Sequence, residues 1–413
     1  MKTFIIVCLF VSTSLLAVSC KKDNLDNPDL KQVNLTEKQK QLVASSNAFG
    51  FDFFRKVTEV SGTNSNLMVS PLSVSMALGM TRNGAANSTL SAMTSTLGFS
   101  GMSEQEINDS YKYIVQTFAS LDPKVKMQIA NSIWYRNTFS VEQPFVQANQ
   151  YYFDATVTPL DFSQASAVDV INSWVKEKTN SLIPKIIDGI PAEAVMYLVN
   201  AFYFKGQWKY QFDAKDTRDR TFYVNSGPAI QVPAMVQHAT FNYFKGSGFA
   251  AIELPYNQGN YTLVVLLPDN GKSASDVISA LTLANWNTWS RQFTETDIQL
   301  QLPKFKYEYE EKNMQPILTA LGMGVAFDSD NADFTRINPN GGLYISKVLH
   351  KTFIETNEEG SEATAITAVE VGVTSIGPDQ PLYFTVDRPF VYFIQEKSTG
   401  TILFIGTVMN PNS

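Results

Sequence analysis

The stretch Asn66-Leu-Met-Val-Ser-Pro-Leu-Ser-Val-Ser-Met-Ala-Leu78 decides the fold of this chain, and the segments around it extend the pattern. Its proline at position 71 opens a helix predicted over residues 71–81, because the first turn of a helix tolerates a missing N–H. A second helix is predicted over residues 86–97, which are rich in Ala, Thr and Met. The first half of the chain is therefore predicted to be mainly helical.

A further predicted helix precedes this stretch and runs from Leu35 to Val60. Thr36 followed by Gln39 has the form of a capping box at the start of a helix. Apolar residues then recur at near-helical spacing, as expected for one buried face. They include Leu42, Phe49, Phe53 and Phe54.

The second half of the chain changes to the pattern of strands. Residues 262–267, 298–302 and 403–408 are short runs rich in Val, Ile and Leu, typical of buried or half-buried strands. Most of the sheet is therefore expected after residue 195. The predicted class is α+β, with the helices concentrated in the first half.

Composition limits the classes of function. The chain has 413 residues, of which 44% are hydrophobic and 17% charged, which is ordinary for a globular protein. The net charge of −7 without a Lys/Arg cluster argues against nucleic acid as the main partner. No second linker or low-complexity tract interrupts residues 38–413, so this region is predicted to be one domain.

The amino terminus has the pattern of a bacterial lipoprotein. The apolar run from Phe4 to Val18 suits a signal-peptide core and is too short for a confident membrane span. It leads into Leu16-Ala-Val-Ser-Cys20, which resembles a lipobox. Residues 1–19 are therefore predicted to be a signal peptide and Cys20 the lipidated first residue. An ordinary secretory signal with an incidental Cys is the alternative.

The mature protein is then expected in the cell envelope. The polar residues 20–37 would form a flexible tether between a lipid anchor in the outer membrane and the folded domain. The domain would face either the periplasm or the outside. Cys8 lies within the signal peptide, so Cys20 would be the only cysteine left and the fold would have no internal disulfide.

Catalytic motifs are missing. There are only two histidines, His238 and His350, and both are expected to make structural hydrogen bonds. The chain has no Gly-x-Ser-x-Gly elbow, His-Glu-x-x-His, Cys-x-x-Cys or glycine-rich phosphate loop. We predict no enzyme activity, metal or cofactor, although the inventory leaves open an enzyme that uses only Asp and Glu.

The opening stretch resembles the helix B signature of the serpin family, and four further regions match that family in the right order. These are Leu198-Val-Asn-Ala-Phe-Tyr-Phe-Lys-Gly-Gln-Trp208, Leu302-Pro-Lys-Phe305, Leu349-His-Lys-Thr-Phe-Ile-Glu355 with Glu358-Glu-Gly-Ser-Glu-Ala363, and Asp387-Arg-Pro-Phe-Val391 with Gly406-Thr-Val-Met-Asn-Pro411. The resemblance implies helices around a large central sheet, further sheets, and an exposed reactive-centre loop over about 358–381. It also implies a metastable native state.

The resemblance implies a suicide-substrate mechanism. A serine endopeptidase cuts the loop and forms an acyl-enzyme, and insertion of the loop into the central sheet then traps the protease before deacylation. The expected partners are target proteases in covalent complex with a monomeric inhibitor. The alternative is a non-inhibitory serpin-like binding or carrier protein.

Two polar clusters are implied by the same resemblance. The first, called the shutter, lies beneath the sheet where the strands must part, and comprises Ser70, Ser73, Asn200 and His350. The second, called the breach, lies where the loop enters the sheet. It comprises Trp208, Lys304 and Glu358, with Lys304 and Glu358 as an ion pair.

The loop itself alternates like a half-buried strand. Its odd positions from Ser361 to Val373 are small or β-branched and uncharged, whereas both charges fall on even positions. No proline occurs between Ser361 and Gly377, so no backbone donor is lost on insertion. The predicted hinge comprises Glu358, Glu359, Gly360, Ser361, Glu362, Ala363, Thr364 and Ala365. The predicted inserting strand includes Thr367, Val369, Val371 and Val373.

The loop also predicts the class of target. Counting from Glu358 places the reactive bond at Thr374-Ser375. No Lys or Arg occurs from Thr352 to Asp387, so trypsin-like proteases find no partner for the carboxylate in their specificity pocket. Elastase-like and subtilisin-like proteases fit best, and papain-like cysteine proteases are a further candidate class.

Overall fold

The computed structural model describes residues 30–62, 64–192, 194–311, 314–361 and 381–413. Nine α-helices lie in this part of the chain: α1 (Glu37–Ser61), α2 (Pro71–Arg82), α3 (Asn87–Thr96), α4 (Glu104–Leu121), α5 (Gln143–Phe153), α6 (Ser166–Lys178), α7 (Ala274–Ala280), α8 (Leu283–Trp289) and α9 (Gln315–Leu318). A π-helical turn, Thr319–Met323, and a 3-10 turn, Gly324–Phe327, follow α9. None of these helices is both long and apolar enough to cross a membrane.

The strands of the described residues are β1 (Leu67–Val69), β2 (Val125–Arg136), β3 (Thr156–Leu160), β4 (Met196–Gln207), β5 (Arg218–Phe222), β6 (Ile230–Lys245), β7 (Phe249–Tyr256), β8 (Tyr261–Pro268), β9 (Thr294–Pro303), β10 (Phe305–Glu311), β11 (His350–Thr356), β12 (Gly360–Ser361), β13 (Leu382–Thr385), β14 (Phe390–Glu396) and β15 (Thr401–Val408). A six-stranded sheet, called the central sheet below, has the order β10-β11-β12-β4-β2-β3. The second sheet runs β1-β15-β14-β8-β7-β6-β9-β13, with β5 added beside β6.

The predicted helices and strands are confirmed, with small shifts of their ends. The capping box at Thr36 and Gln39 is present at the start of α1, and Pro71 occupies the first turn of α2. The three predicted strands correspond to β8, β9 and β15. The long strand β2 lies in the half of the chain that was predicted to be mainly helical. It is stabilised by pairing with β4 along eleven residues, a contact that local sequence does not reveal.

Two hydrophobic clusters hold the sheets and helices together. The larger one lies between the two sheets and beneath α1, α2 and α4. The smaller one lies on the outer face of the central sheet, where Ile171 and Val175 of α6 cover Trp134 of β2 and Val199 of β4. The central sheet is therefore buried on both faces along its middle, which makes any widening of the sheet a rearrangement of packed groups.

Residues 30–36 of the predicted tether lie against the folded body. The Lys31 ammonium donates to the Leu121 carbonyl at 2.8 Å, and the Val33 N–H donates to the Ser398 hydroxyl at 3.2 Å. Val33 and Leu35 are partly buried against the larger hydrophobic cluster. Residues 1–29, which include the predicted signal peptide, Cys20 and most of the tether, lie outside the described residues.

Candidate functional site: the hinge and two polar clusters of the central sheet

Two residues of the hinge, Gly360 and Ser361, form a short strand in the middle of the central sheet. In β12, Gly360 pairs with Gln207 and Ser361 pairs with Gly206 of β4, while Ser361 also pairs with Thr356 of β11. Both pairings are antiparallel. Within the described residues, β4 and β11 are joined by β12 and do not pair with each other. The sheet thus has a place for a strand between β4 and β11, and residues 360–361 occupy the part of it beside the C-terminal end of β4.

Gly360 is required at this position by a close approach of backbones. A Cβ atom on Gly360 would lie 2.0 Å from the Gly206 carbonyl oxygen and 2.8 Å from the Gln207 Cα. Real Cβ atoms essentially never approach other heavy atoms that closely. Any larger residue here would push β12 away from β4.

Ser361 is held by its hydroxyl as well as by the ladder. It is buried, with 3% of its surface exposed, and its Oγ lies 2.6 Å from the Tyr256 hydroxyl and 3.4 Å from the Thr356 Oγ1. Burial raises the pKa of the Tyr256 hydroxyl, so this group stays protonated and available as a donor. A charged side chain in place of Ser361 would be buried in a slot lined by the hydroxyls of Tyr256 and Thr356.

The breach contains the expected ion pair. The Lys304 ammonium contacts the two carboxylate oxygens of Glu358 at 2.8 and 3.1 Å, and the Thr217 hydroxyl donates to the same carboxylate at 2.9 Å. Burial alone would raise the pKa of Glu358, but the hydrogen bonds from Lys304 and Thr217 outweigh it and hold the pKa below its ordinary value. The carboxylate is therefore ionised and fixed at the first residue of the hinge.

Trp208 connects the breach to the hinge. Its indole N–H donates to the Asn357 carbonyl at 2.8 Å, and its backbone N–H donates to the Glu359 carbonyl at 2.8 Å. Its ring stacks on Tyr256 at a centroid distance of 4.6 Å and an interplanar angle of 10°. Trp208 and Tyr256 together form a flat apolar wall beside the point where residues 360–361 enter the sheet.

One part of the shutter, built around Ser70 and His350, joins α2 to β11. The His350 Nε2 accepts a hydrogen bond from the Ser70 backbone N–H at 3.0 Å, and the Ser70 hydroxyl donates to the Leu403 carbonyl at 2.7 Å. The Ser73 N–H in turn donates to the Ser70 hydroxyl at 3.3 Å, which caps α2. Burial lowers the pKa of His350 to about 4, so the imidazole is neutral at physiological pH.

The other part of the shutter, built around Ser73 and Asn200, joins α2 to β4 and β2. The Ser73 hydroxyl donates to the Asn200 Oδ1, and the Asn200 amide donates to the Asn131 Oδ1 at 2.6 Å. The Asn131 amide donates to the Phe153 carbonyl at 2.9 Å. These polar groups are buried and satisfied as one network, which is the condition for a polar cluster to stabilise a core.

A cavity continues the line of the hinge at the far end of the central sheet. Its volume is about 520 Å³, and it lies between β4 and the segment 342–347 that leads into β11. Its walls include Tyr197 and Leu198 of β4 and, opposite them, Leu343, Ile345 and Lys347. Among the described residues, this cavity is therefore an open region at the end of β4 opposite the hinge.

The structure places the predicted residues as follows. It brings together Ser70, Ser73, Asn200 and His350 in one network, and Trp208, Lys304 and Glu358 in another, next to Glu359, Gly360 and Ser361. The remaining hinge residues Glu362, Ala363, Thr364 and Ala365, the strand residues Thr367, Val369, Val371 and Val373, and the bond Thr374-Ser375 lie outside the described residues. His238 lies apart from both clusters and contacts Asp297 at 2.8 Å.

Three residues at these clusters were not identified from the sequence. Tyr256 contacts both Trp208 and Ser361, Asn131 extends the shutter to β2, and Thr217 completes the hydrogen bonds of Glu358. Each lies far along the chain from its partners. A buried tyrosine or asparagine has no local signal that separates it from an ordinary core residue.

Comparison with known proteins agrees with the resemblance found in the sequence. The family model described as Serpin (serine protease inhibitor) matches residues 44–411. The chain is 32% identical to human neuroserpin over 86% of this chain and 88% of that protein, and 31% identical to human corticosteroid-binding globulin over 93% and 94%. The solved structure of a thermophilic serpin, tengpin, in the native state has a TM-score of 0.83 at 35% identity, and covers 92% of this chain and 96% of that one.

Proposed function

This chain belongs to the serpin family, and we propose that it is an irreversible suicide-substrate inhibitor of serine endopeptidases. One observation carries the proposal. Gly360 and Ser361 already pair with β4, and Ser361 also pairs with β11, while these two strands do not pair with each other elsewhere in the described chain. The segment that follows Ser361 can therefore extend an existing strand into the sheet.

The contacts around the hinge support insertion as the driving step. Each residue added to β12 would gain ladder hydrogen bonds with two neighbouring strands, each bond worth about 1 kcal/mol. The uncharged odd positions would face the core, since Ser361 does so. Insertion is then favourable, and cutting the loop frees it from β13, which follows the loop and pairs with β9 in the other sheet.

The target class proposed is elastase-like and subtilisin-like serine proteases, with papain-like cysteine proteases as a further candidate. The residues around Thr374-Ser375 are small or β-branched, and no Lys or Arg occurs from Thr352 to Asp387. A shallow apolar specificity pocket accepts Val or Thr, whereas a pocket with a buried carboxylate finds no counter-charge.

The direct test is incubation with an elastase, a subtilisin, a chymotrypsin and a trypsin, followed by denaturing gel electrophoresis. An inhibitor of the proposed class gives a covalent complex with elastase or subtilisin and little with trypsin. The bond cut within the complex, identified by mass spectrometry, should be Thr374-Ser375 or within one or two residues of it. Cleaved product without any complex would contradict inhibition.

A second candidate, a non-inhibitory carrier, is favoured by a cavity of about 520 Å³ between α1, α8 and the turn after β14. Its floor includes Val43, Leu283 and Trp286, and Arg291 lies at its rim. An apolar floor with a positive charge at its rim suits an amphipathic carboxylate such as a fatty acid, and one relative is named corticosteroid-binding globulin. A carrier would change its tryptophan fluorescence on titration with a fatty acid such as oleate, and Trp286→Phe would remove most of that change.

For localisation, we propose that residues 1–19 are removed and that Cys20 is lipidated, which anchors the domain to the outer membrane of a bacterial cell. The support is the sequence Leu16-Ala-Val-Ser-Cys20 after an apolar run. Expressed in a bacterium, the protein should partition into detergent after cell lysis, whereas Cys20→Ser should not. Protease treatment of whole cells would show whether the domain faces outside or the periplasm.

A further inference from the structure

A buried carboxylate outside both polar clusters lies at the corner where α4 leads into β2. Asp122 is 2% exposed, and its oxygens accept hydrogen bonds from the Lys124 N–H at 3.0 Å, the Asn257 amide at 2.6 Å and the Gln258 N–H at 3.2 Å. The last two donors lie 135 and 136 residues further along the chain, in the turn between β7 and β8. A buried carboxylate is costly unless its oxygens are hydrogen-bonded, so this corner and this turn are clamped together.

A second bridge joins the same corner and the same turn from the surface. The ammonium of the exposed Lys31 donates to the Leu121 carbonyl at 2.8 Å, and the Lys31 carbonyl accepts from the Asn260 amide at 2.9 Å. Neither bond involves Asp122. A variant that lacks the Asp122 carboxylate therefore keeps this bridge, and its corner is expected to stay folded.

The turn held by Asp122 also contacts the end of β4. The Asn257 N–H donates to the Gln207 carbonyl at 2.8 Å, and Tyr256 forms an isolated antiparallel bridge with Trp208. Gln207 is in turn the residue of β4 that pairs with Gly360. The turn is thus joined through β4 to the hinge.

The backbone of Asn257 is strained. Its φ is +35°, in the left-handed region that residues with a Cβ atom rarely adopt, although asparagine tolerates it better than most. The bond from its side-chain amide to Asp122 holds the residue in this conformation, with its N–H directed at the Gln207 carbonyl. Without the carboxylate, Asn257 is free to relax and its bond to Gln207 weakens.

The residue just before Asn257 is the one that holds the hinge. Tyr256 is fully buried, and its hydroxyl lies 2.6 Å from the Ser361 Oγ. Hydrogen bonds between hydroxyls weaken beyond about 3 Å, so a shift of Tyr256 by roughly half an ångström is enough to lose this one. The docked state of the hinge therefore depends on the exact position of Tyr256, and Asp122 fixes the two residues that follow it.

We propose that Asp122 is a positioning residue for the hinge. By binding residues 257 and 258, it keeps Tyr256 in the place from which the hydroxyl holds Ser361 between β4 and β11. The proposal rests on the proposed loop insertion and extends it by a residue whose hydrogen bonds are all made to other segments. Loss of the carboxylate lowers the docked fraction of the hinge and slows the first step of insertion relative to deacylation.

Hydrogen exchange of the intact protein, followed by mass spectrometry, tests this role without any protease. Peptides that cover residues 357–361 should exchange about fivefold faster in Asp122→Ala than in wild type, the factor that corresponds to one hydrogen bond of about 1 kcal/mol. Asp328→Ala is the matched control, because the Asp328 carboxylate also accepts from two backbone N–H groups and one asparagine amide, all within three residues of it. Wild-type exchange of residues 357–361 in Asp122→Ala would overturn the proposal.

Exchanging the two side chains tests the bond itself. Asp122→Asn leaves one oxygen for three donors and should lose part of the protection of residues 357–361. In the double variant Asp122→Asn/Asn257→Asp, the amide at position 122 donates to the carboxylate at position 257, and its oxygen remains for the backbone donors. The double variant should therefore recover most of the lost protection, whereas no recovery would contradict positioning through this bond.

A double-mutant cycle tests the route through Tyr256. Tyr256→Phe removes the hydroxyl that contacts Ser361 and should also speed exchange of residues 357–361 about fivefold. If Asp122 acts by positioning that hydroxyl, adding Asp122→Ala to Tyr256→Phe should cause no further increase. Multiplied effects in the double variant would mean that Asp122 acts on the hinge by another route, and would overturn the proposal.

Incubation with elastase or subtilisin separates this proposal from the proposed function. If wild-type protein forms no covalent complex with either protease, inhibition fails, while the exchange measurements still decide whether Asp122 positions the hinge. If wild-type protein forms the complex, Asp122→Ala should shift the products towards cleaved protein. A wild-type yield of complex in Asp122→Ala, together with unchanged exchange of residues 357–361, would leave inhibition standing and refute the role of Asp122.

Discussion

Under the proposed mechanism, replacing Gly360 with alanine should give cleaved product in place of the covalent complex with the protease. The added Cβ would lie 2.0 Å from the Gly206 carbonyl oxygen, whereas ordinary contacts begin beyond about 3 Å, so β12 must move by at least about 1 Å. Backbone hydrogen bonds tolerate only a few tenths of an ångström beyond their usual length. The movement therefore breaks the bonds that join residues 359–361 to β4.

The size of the effect follows from those bonds. The carbonyl of Glu359 accepts from Trp208 N–H at 2.8 Å, and Gly360 and Ser361 pair with β4. Three bonds at about 1 kcal/mol each give about 3 kcal/mol, or roughly a hundredfold in the ratio of docked to undocked hinge. Because the inserted state contains the same close approach, the first step of insertion slows by a comparable factor. The acyl-enzyme is then hydrolysed before the loop has inserted.

The assay is the fraction of protein found in covalent complex with elastase or subtilisin, compared with the fraction found as cleaved product. Gly189→Ala is the matched control, because a Cβ on Gly189 meets no atom within 4 Å. Complex formation should be largely lost in Gly360→Ala and retained in Gly189→Ala. Equal yields of complex in Gly360→Ala and wild type would refute the role assigned to this close approach.

Three other predictions concern the slot, the reactive bond and the shutter. Ser361→Arg should place a charge beside the Tyr256 hydroxyl and give mainly cleaved product on the same gels, while an unchanged yield of complex would rule out insertion through this slot. Thr374→Arg should create trypsin inhibition, measured as an association rate, if the bond is at Thr374. The pKa of His350 is lowered from 6.5 to about 4, so the unfolded chain binds a proton that the native state does not as the pH falls below 6.5. The free energy of unfolding should therefore be fully retained above pH 6.5 and fall by about 3 kcal/mol between pH 6.5 and 4. The measurement is denaturant unfolding at a series of pH values, and the free energy of unfolding should depend less on pH in His350→Gln than in wild type.

Local sequence signals were sufficient to predict many of the helices and strands. Pro71 and the capping box at Thr36 mark helix starts through bonds that form within a few residues, and these starts are confirmed. Likewise, the apolar runs that became β8, β9 and β15 are recognisable because strand and burial signals coincide. The strand β2 was not recognised, because its stability comes from pairing with β4, about seventy residues further along the chain.

For the site, the sequence by itself determined the family, through motifs quoted in order along the chain, and the alternation of the loop, through its side-chain pattern. Only the tertiary structure decided that Tyr256 holds Ser361, that Asn131 extends the shutter, and that β4 and β11 are joined through residues 360–361. The physical reason is that alternation and capping depend on neighbours in the chain, whereas hydrogen bonds and charge pairs across a sheet depend on a register set by the packing of distant strands.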